Sequence, residues 1–164
     1  MAHTNAECGA WVIDLLEVDP RDSLLEVGFG PGVTIERLSN LVVGHIAGID
    51  PSPEMIAQTR RRKLGAIRSG RIELRQGTVD RLPFDDDVFD KALAINSMQV
   101  SPDAVAGLRE MRRVMKSTAR IALGFTPYSG QTKQGITEML KASGFTEAHP
   151  FENGNAFAAV ATKA

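Results

Sequence analysis

Three glycines at alternate positions, Gly28, Gly30 and Gly32, follow the short apolar run Leu24-Leu25-Glu26-Val27 and precede a segment of helical period. Glycine lacks a Cβ, so the backbone there can turn sharply and a ligand can approach it closely. The carboxyl end of a parallel strand is where open α/β sheets bind ligands. The spacing discriminates between ligands. A dinucleotide fingerprint, G-x-G-x-x-G, counted from Gly28 requires glycine at position 33, which is Val33. Glu26 stands two residues before Gly28, and a carboxylate there suits a cationic amino group better than a pyrophosphate. Taken alone, the triplet also fits a purely structural strand-to-helix turn. Asp50 shifts the balance: it lies 22 residues after Gly28, at the end of the next apolar run. A carboxylate in that place can accept hydrogen bonds from ribose hydroxyls. Its structural alternative is a helix cap, because Asp50-Pro51-Ser52-Pro53 also suits a helix entry.

These residues need strands that end together on one side of a sheet, and the chain supplies them. Short apolar runs alternate with segments of helical period, which predicts strands joined by crossover helices. The expected strands are 23–27, 45–49, 71–75, 89–95, 120–125, 145–151 and 156–161. The expected helices are 6–16, 33–41, 53–67, 102–116 and 132–142, the last ended by Gly144. Asn153-Gly154 is a hairpin signal, so the last two strands must be antiparallel and add a reversed strand at the edge of a mostly parallel sheet. The expected fold class is therefore α/β: an open twisted sheet of about seven strands with helices on both faces. One domain covers 1–164: an N-terminal helical segment over 1–22, a ligand-binding core over 23–125, and a helix with the terminal hairpin over 126–164.

Composition is that of a globular protein, with 43% hydrophobic and 24% charged residues. A net charge of -1 offers no general attraction to nucleic acid or anionic membranes. Cys8 is the lone cysteine, so no intramolecular disulfide forms, and a buried side chain is its simple reading. The first residues lack a secretory pattern, no window suits a membrane span, and a cytoplasmic location is expected. Arg60-Arg61-Arg62-Lys63, with Arg68 and Arg71, reads as a solvated helix face without the aromatic residues that stack bases. Arg109, Arg112 and Arg113 read the same way. His45 and His149 read as structural. No His/Cys/Asp set has metal-ligand spacing, so no metal is expected.

Four ordered blocks then carry a resemblance. Glu26-Val27-Gly28-Phe29-Gly30-Pro31-Gly32 is the first and Gly48-Ile49-Asp50-Pro51-Ser52-Pro53-Glu54-Met55-Ile56 the second. Gln76-Gly77-Thr78-Val79-Asp80-Arg81-Leu82-Pro83-Phe84, continuing to Phe89-Asp90, is the third. Leu108-Arg109-Glu110-Met111-Arg112-Arg113-Val114-Met115-Lys116 is the fourth. Together, over Leu24 to Phe125, they resemble class I S-adenosylmethionine-dependent methyltransferases. Within that class the chain is most similar to small bacterial proteins of the ubiquinone and menaquinone methyltransferase kind.

The resemblance implies a Rossmann-like sheet, S-adenosylmethionine as cofactor and S-adenosylhomocysteine as product. It places Gly28, Phe29, Gly30 and Gly32 under the methionine part of the cofactor, Glu26 near its amino group and Asp50 on the ribose. Pro51 and Met55 border the adenine, Thr78 and Val79 meet its edge, and the Asn96 carbonyl meets the ammonium. Two positions depart from the family. Thr78 stands where a carboxylate is usual, which implies weaker cofactor binding because a hydroxyl accepts without charge assistance. Lys116-Ser117-Thr118-Ala119 replaces the usual Lys-Pro-Gly-Gly, remote from the chemistry.

Asn96-Ser97-Met98-Gln99 does not match the motif of methyltransferases acting on amino groups of nucleic acid bases or protein glutamine. Ser97, Met98, Gln99 and Tyr128 are the acceptor-side candidates, the acceptor is expected to be a small molecule, and no catalytic base is identifiable. His3 is the one histidine near a potential lid, although a mobile terminal residue is the simpler reading. The link from Thr126 to Gln131 is short, so the acceptor side is either open or completed by a second copy of the chain. The leading expectation is methyl transfer. The alternative is a non-catalytic cofactor-binding or interaction module with the same fold. A nicotinamide-dependent oxidoreductase is disfavoured by Val33 and by the Leu82-Pro83-Phe84 block.

Overall fold

A computed structural model describes residues 4–98 and 101–164. The chain begins with α1 (Asn5–Leu16), opened by Thr4, which accepts from the Glu7 amide while the Glu7 carboxylate accepts from the Thr4 amide. This reciprocal cap satisfies two of the helix's free donors. Then come β1 (Leu24–Val27), α2 (Val33–Leu41), β2 (Ile46–Asp50), α3 (Pro53–Arg62), α4 (Leu64–Arg68), β3 (Ile72–Gln76), β4 (Phe89–Ile95), α5 (Ala104–Val114), β5 (Met115–Phe125), α6 (Ile136–Ala142), β6 (Phe145–Asn153) and β7 (Ala156–Lys163).

All seven strands share one sheet in the order β3-β2-β1-β4-β5-β7-β6. β1 pairs in parallel with β2 on one side and β4 on the other. β7 runs antiparallel to both β5 and β6. The reversed strand is thus β7, one place in from the edge, and not the edge strand expected; β6 takes the edge. β1 and β2 are buried at every position, as parallel strands covered on both faces must be. Their alternate side chains feed two cores. Leu25, Val27 and Ile49 join Leu108, Met111 and Leu140 of α5 and α6, while Leu24 and Ile46 join Cys8, Val12, Ile35 and Leu38 of α1 and α2.

The larger departures from the expected boundaries are three. The helix expected over 53–67 breaks at Lys63, whose φ of -135° and ψ of 39° are not helical, leaving α3 and the short α4. α5 stops at Val114, and Met115 begins β5 opposite Phe89. Met115 is fully buried, so an apolar residue there fits the helix pattern or the strand equally well. α6 starts at Ile136 because Gly135, with φ of 87°, turns the chain into the left-handed region.

Arg109, Arg112 and Arg113 are not merely solvated. Arg109 and Arg112 donate to the carbonyls of Ala142 and Gly144 at the end of α6. Arg113 donates to the carbonyls of Leu82 and Phe84 and pairs with Glu110 and Asp86, both at 2.7 Å. It clamps the segment before β4 onto α5. No helix among the described residues is long and apolar enough to cross a membrane.

Candidate functional site

The strand order reverses direction at β1, between β2 and β4, and a crevice of about 690 Å³ opens beyond the carboxyl ends of these strands. That is the switch point at which open α/β sheets take ligands, and the volume lies within the range of small-molecule sites, about 300–1,000 Å³. Of the residues singled out from sequence, Gly28, Asp50, Pro51, Thr78, Val79, Asn96, Ser97 and Met98 line it. Glu26, Phe29, Gly30, Gly32 and Met55 are not among its lining residues. Nor is Tyr128, which is 85% exposed. Gln99 and His3 lie outside the described residues.

The turn after β1 is built as its glycines require. Gly28, Gly30 and Gly32 have φ of 73°, 55° and 88°, a region costly for residues with a Cβ. A Cβ on Gly28 would overlap the Ser97 hydroxyl, and one on Gly32 would overlap Thr59; beside Gly30 the space is open. Gly32 caps α2. Phe29 is buried and packs against Gly48 of β2, so its ring holds the turn from below. Met55 is half-buried in the first turn of α3, its amide donating to Ser52.

Asp50 fastens this turn to β2. One carboxylate oxygen accepts from the Gly30 amide and the other from the Ser52 amide, each at 2.9 Å. The cap of α3 is Ser52, which accepts from Met55, so Asp50 is not a helix cap. Each Asp50 oxygen has a second lone pair, and the residue lines the crevice.

Glu26 is the electrostatic outlier. It lies on β1 opposite Gly48 and Leu93, is 2% exposed, and its Oε1 has no hydrogen-bond partner among the described residues. Desolvation, and then the Asp50 charge, push its pKa up to about 8. A buried carboxylate oxygen left unsatisfied is costly, and an arriving cation would relieve it.

Sequence reasoning missed several lining residues, among them Asp80, Ser101, Pro102 and Asp103. Asp80 matters most. The Thr78 hydroxyl donates to its carboxylate, so the acid absent at position 78 stands two residues further on. The signal was in the third block, where the resemblance assigns a role to Thr78 and Val79 alone. Asp103 is committed to capping α5. The Ser97 hydroxyl lies within hydrogen-bonding reach of the Val27 and Ile95 carbonyls. Cys8 is buried, and burial pushes its thiol up to about 11, which makes it unreactive.

A seven-stranded sheet with one reversed strand, carrying a glycine turn and paired strand-end carboxylates at its switch point, defines a class I S-adenosylmethionine-dependent methyltransferase fold. Residues 24–118 match the family described as methyltransferase domain, more than half of the chain, and the chain belongs to that family. It is 28% identical over 156 residues to the uncharacterized methyltransferase YdaC of Bacillus subtilis, covering 90% of this chain and 84% of that protein. It is 36% identical over 102 residues to the ubiquinone/menaquinone biosynthesis C-methyltransferase UbiE of a Geobacter species, covering 61% of this chain and 43% of that protein. Among solved structures, an S-adenosylmethionine-dependent methyltransferase from Aquifex aeolicus superposes with a TM-score of 0.84 at 20% identity, covering 95% of this chain and 89% of that one.

Proposed function

We propose that the chain binds S-adenosylmethionine in this crevice and transfers its methyl group to a small-molecule acceptor. The observation that carries the reading is the buried Oε1 of Glu26, without a partner among the described residues, two residues before a glycine turn that Asp50 holds in place. The bound cofactor would supply an activated methyl on a sulfonium. Glu26 and the Asn96 carbonyl would hold its ammonium, with Gly28, Phe29, Gly30 and Gly32 shaping the floor beneath its methionine part. Asp50 would accept from the ribose hydroxyls with its remaining lone pairs. Pro51, Met55 and Val79 would border the adenine, and Thr78 with Asp80 would accept from its amino group.

What the chain must do chemically is align and keep water out, and orientation alone can supply about 7–11 kcal/mol of barrier lowering. Ile95, Met98 and Pro102 give the crevice an apolar wall, which favours an acceptor with an apolar body. Ser97 would orient a polar group on it, with Gln99 as a further acceptor-side candidate; the exposed Tyr128 would join them where a second copy of the chain completes that side, the alternative being an open site. Calorimetry with S-adenosylhomocysteine tests binding, and methyl release against a panel of small acceptors tests turnover. Binding without turnover on any acceptor would favour a non-catalytic module.

A further inference from the structure

Asn96 directly follows β4 and lies in the left-handed region, with φ of 52°, where few residues other than glycine are at ease. Its side chain explains how that conformation is kept. The Nδ2 group donates to Asn5 Oδ1 at 2.7 Å and to Thr126 Oγ1 at 2.8 Å. Its Oδ1 accepts from the Thr126 amide at 2.9 Å, and its own amide donates to the Gly124 carbonyl, also at 2.9 Å. One side chain therefore joins the ends of β4 and β5 to the first residue of α1. Asn96 lines the crevice; Asn5 and Thr126 are not among its lining residues.

We infer that Asn96 is a positioning residue: its side chain, locked by Asn5 and Thr126, holds the β4 end in the left-handed turn that forms the crevice wall, and so links the start of α1 to crevice occupancy. The inference rests on the proposed cofactor reading. An energetic link of this kind is reciprocal. Ordering the Asn96 turn should strengthen cofactor binding, and cofactor binding should protect the first turn of α1. Asn5 provides the cleanest test, because alanine is favourable inside a helix and the residue lies outside the crevice. The hydrogen bond to Asn96 is the link through which an effect of Asn5→Ala on cofactor affinity is expected to travel.

The experiment titrates S-adenosylhomocysteine calorimetrically into the wild type, Asn5→Ala, Asn96→Ala and Asn96→Gly, with thermal melts of each. Amide exchange of residues 5–8 is followed with and without the ligand. If the wild type does not bind, the cofactor reading fails and not this inference. Given wild-type binding, Asn5→Ala should lose a few-fold in affinity with its melting temperature nearly kept. Asn96→Ala should lose about ten-fold. Asn96→Gly should recover part of that loss, because glycine accepts a positive φ without a side-chain lock. Exchange at residues 5–8 should slow on binding in the wild type and less so in Asn96→Ala. Wild-type affinity in folded Asn5→Ala, or Asn96→Gly binding no better than Asn96→Ala, would overturn the inference.

Discussion

Glu26 and Asp50 sit on adjacent parallel strands, and the charge of Asp50, added to burial, raises the Glu26 pKa to about 8. The two carboxylates play different parts. Asp50 is tied by two backbone amides, while one oxygen of Glu26 is left over. The pair thus stores an unmet demand for a cation beside a turn that is already shaped.

The ligand-free protein should lose stability as pH rises from 5 to 8. The folded pKa of Glu26 is raised above its ordinary value of 4.5, so the folded state holds a proton that the unfolded chain releases. The stabilisation is complete below the unfolded pKa and is lost as pH climbs through the folded one. Each tenfold gain in proton affinity on folding is worth about 1.4 kcal/mol, which bounds the whole effect at about 5 kcal/mol. Thermal melts across this window should show a decline for the wild type and a flatter profile for Glu26→Gln. Parallel profiles would mean that Glu26 is not the group responsible.

Asp50→Ala should weaken S-adenosylhomocysteine binding by about 1–3 kcal/mol, the scale for losing hydrogen bonds to a charged group. It should also loosen the glycine turn, since the Gly30 and Ser52 amides lose their acceptor. Asp50→Asn should retain more of the fold than of the affinity. Calorimetry beside thermal melts separates the two, and full affinity in a folded Asp50→Ala would remove the residue from the site.

The glycines should not be equivalent. Gly28→Ala meets both a strained φ and the Ser97 hydroxyl, whereas Gly30→Ala meets strain with open space around it. Left-handed strain alone costs about 1–2 kcal/mol. Denaturant melts should therefore rank Gly28→Ala as the more damaging, and pairing it with Ser97→Gly should recover part of the difference.

Arg113→Ala should destabilise the fold by about 2–4 kcal/mol, because the Leu82 and Phe84 carbonyls and Glu110 all lose a charged donor. Arg113→Lys should recover little, since an ammonium cannot serve that many acceptors in a planar fork. Urea unfolding of the three proteins checks this.

The parallel core was legible in the sequence because strands buried on both faces read as apolar runs, and Leu24-Leu25-Glu26-Val27 and Ile46-Ala47-Gly48-Ile49 are such runs. The glycine turn was legible through its spacing. What escaped depended on tertiary pairing. Met115 belongs to β5 only because Phe89 is opposite it. The arginines of α5 looked solvated because their acceptors, carbonyls of Leu82, Phe84, Ala142 and Gly144, carry no sequence signal. Asp80 was hidden by position: the residue type was plain, and its hydrogen bond with Thr78 was not.

The most direct test of cofactor binding in the crevice is a calorimetric titration of S-adenosylhomocysteine into the wild type near pH 8, with NAD as the comparison ligand. Saturable binding of the first at one site per chain, weakened in Asp50→Ala and absent with NAD, is the predicted result. A folded protein that takes up neither S-adenosylhomocysteine nor S-adenosylmethionine would contradict it.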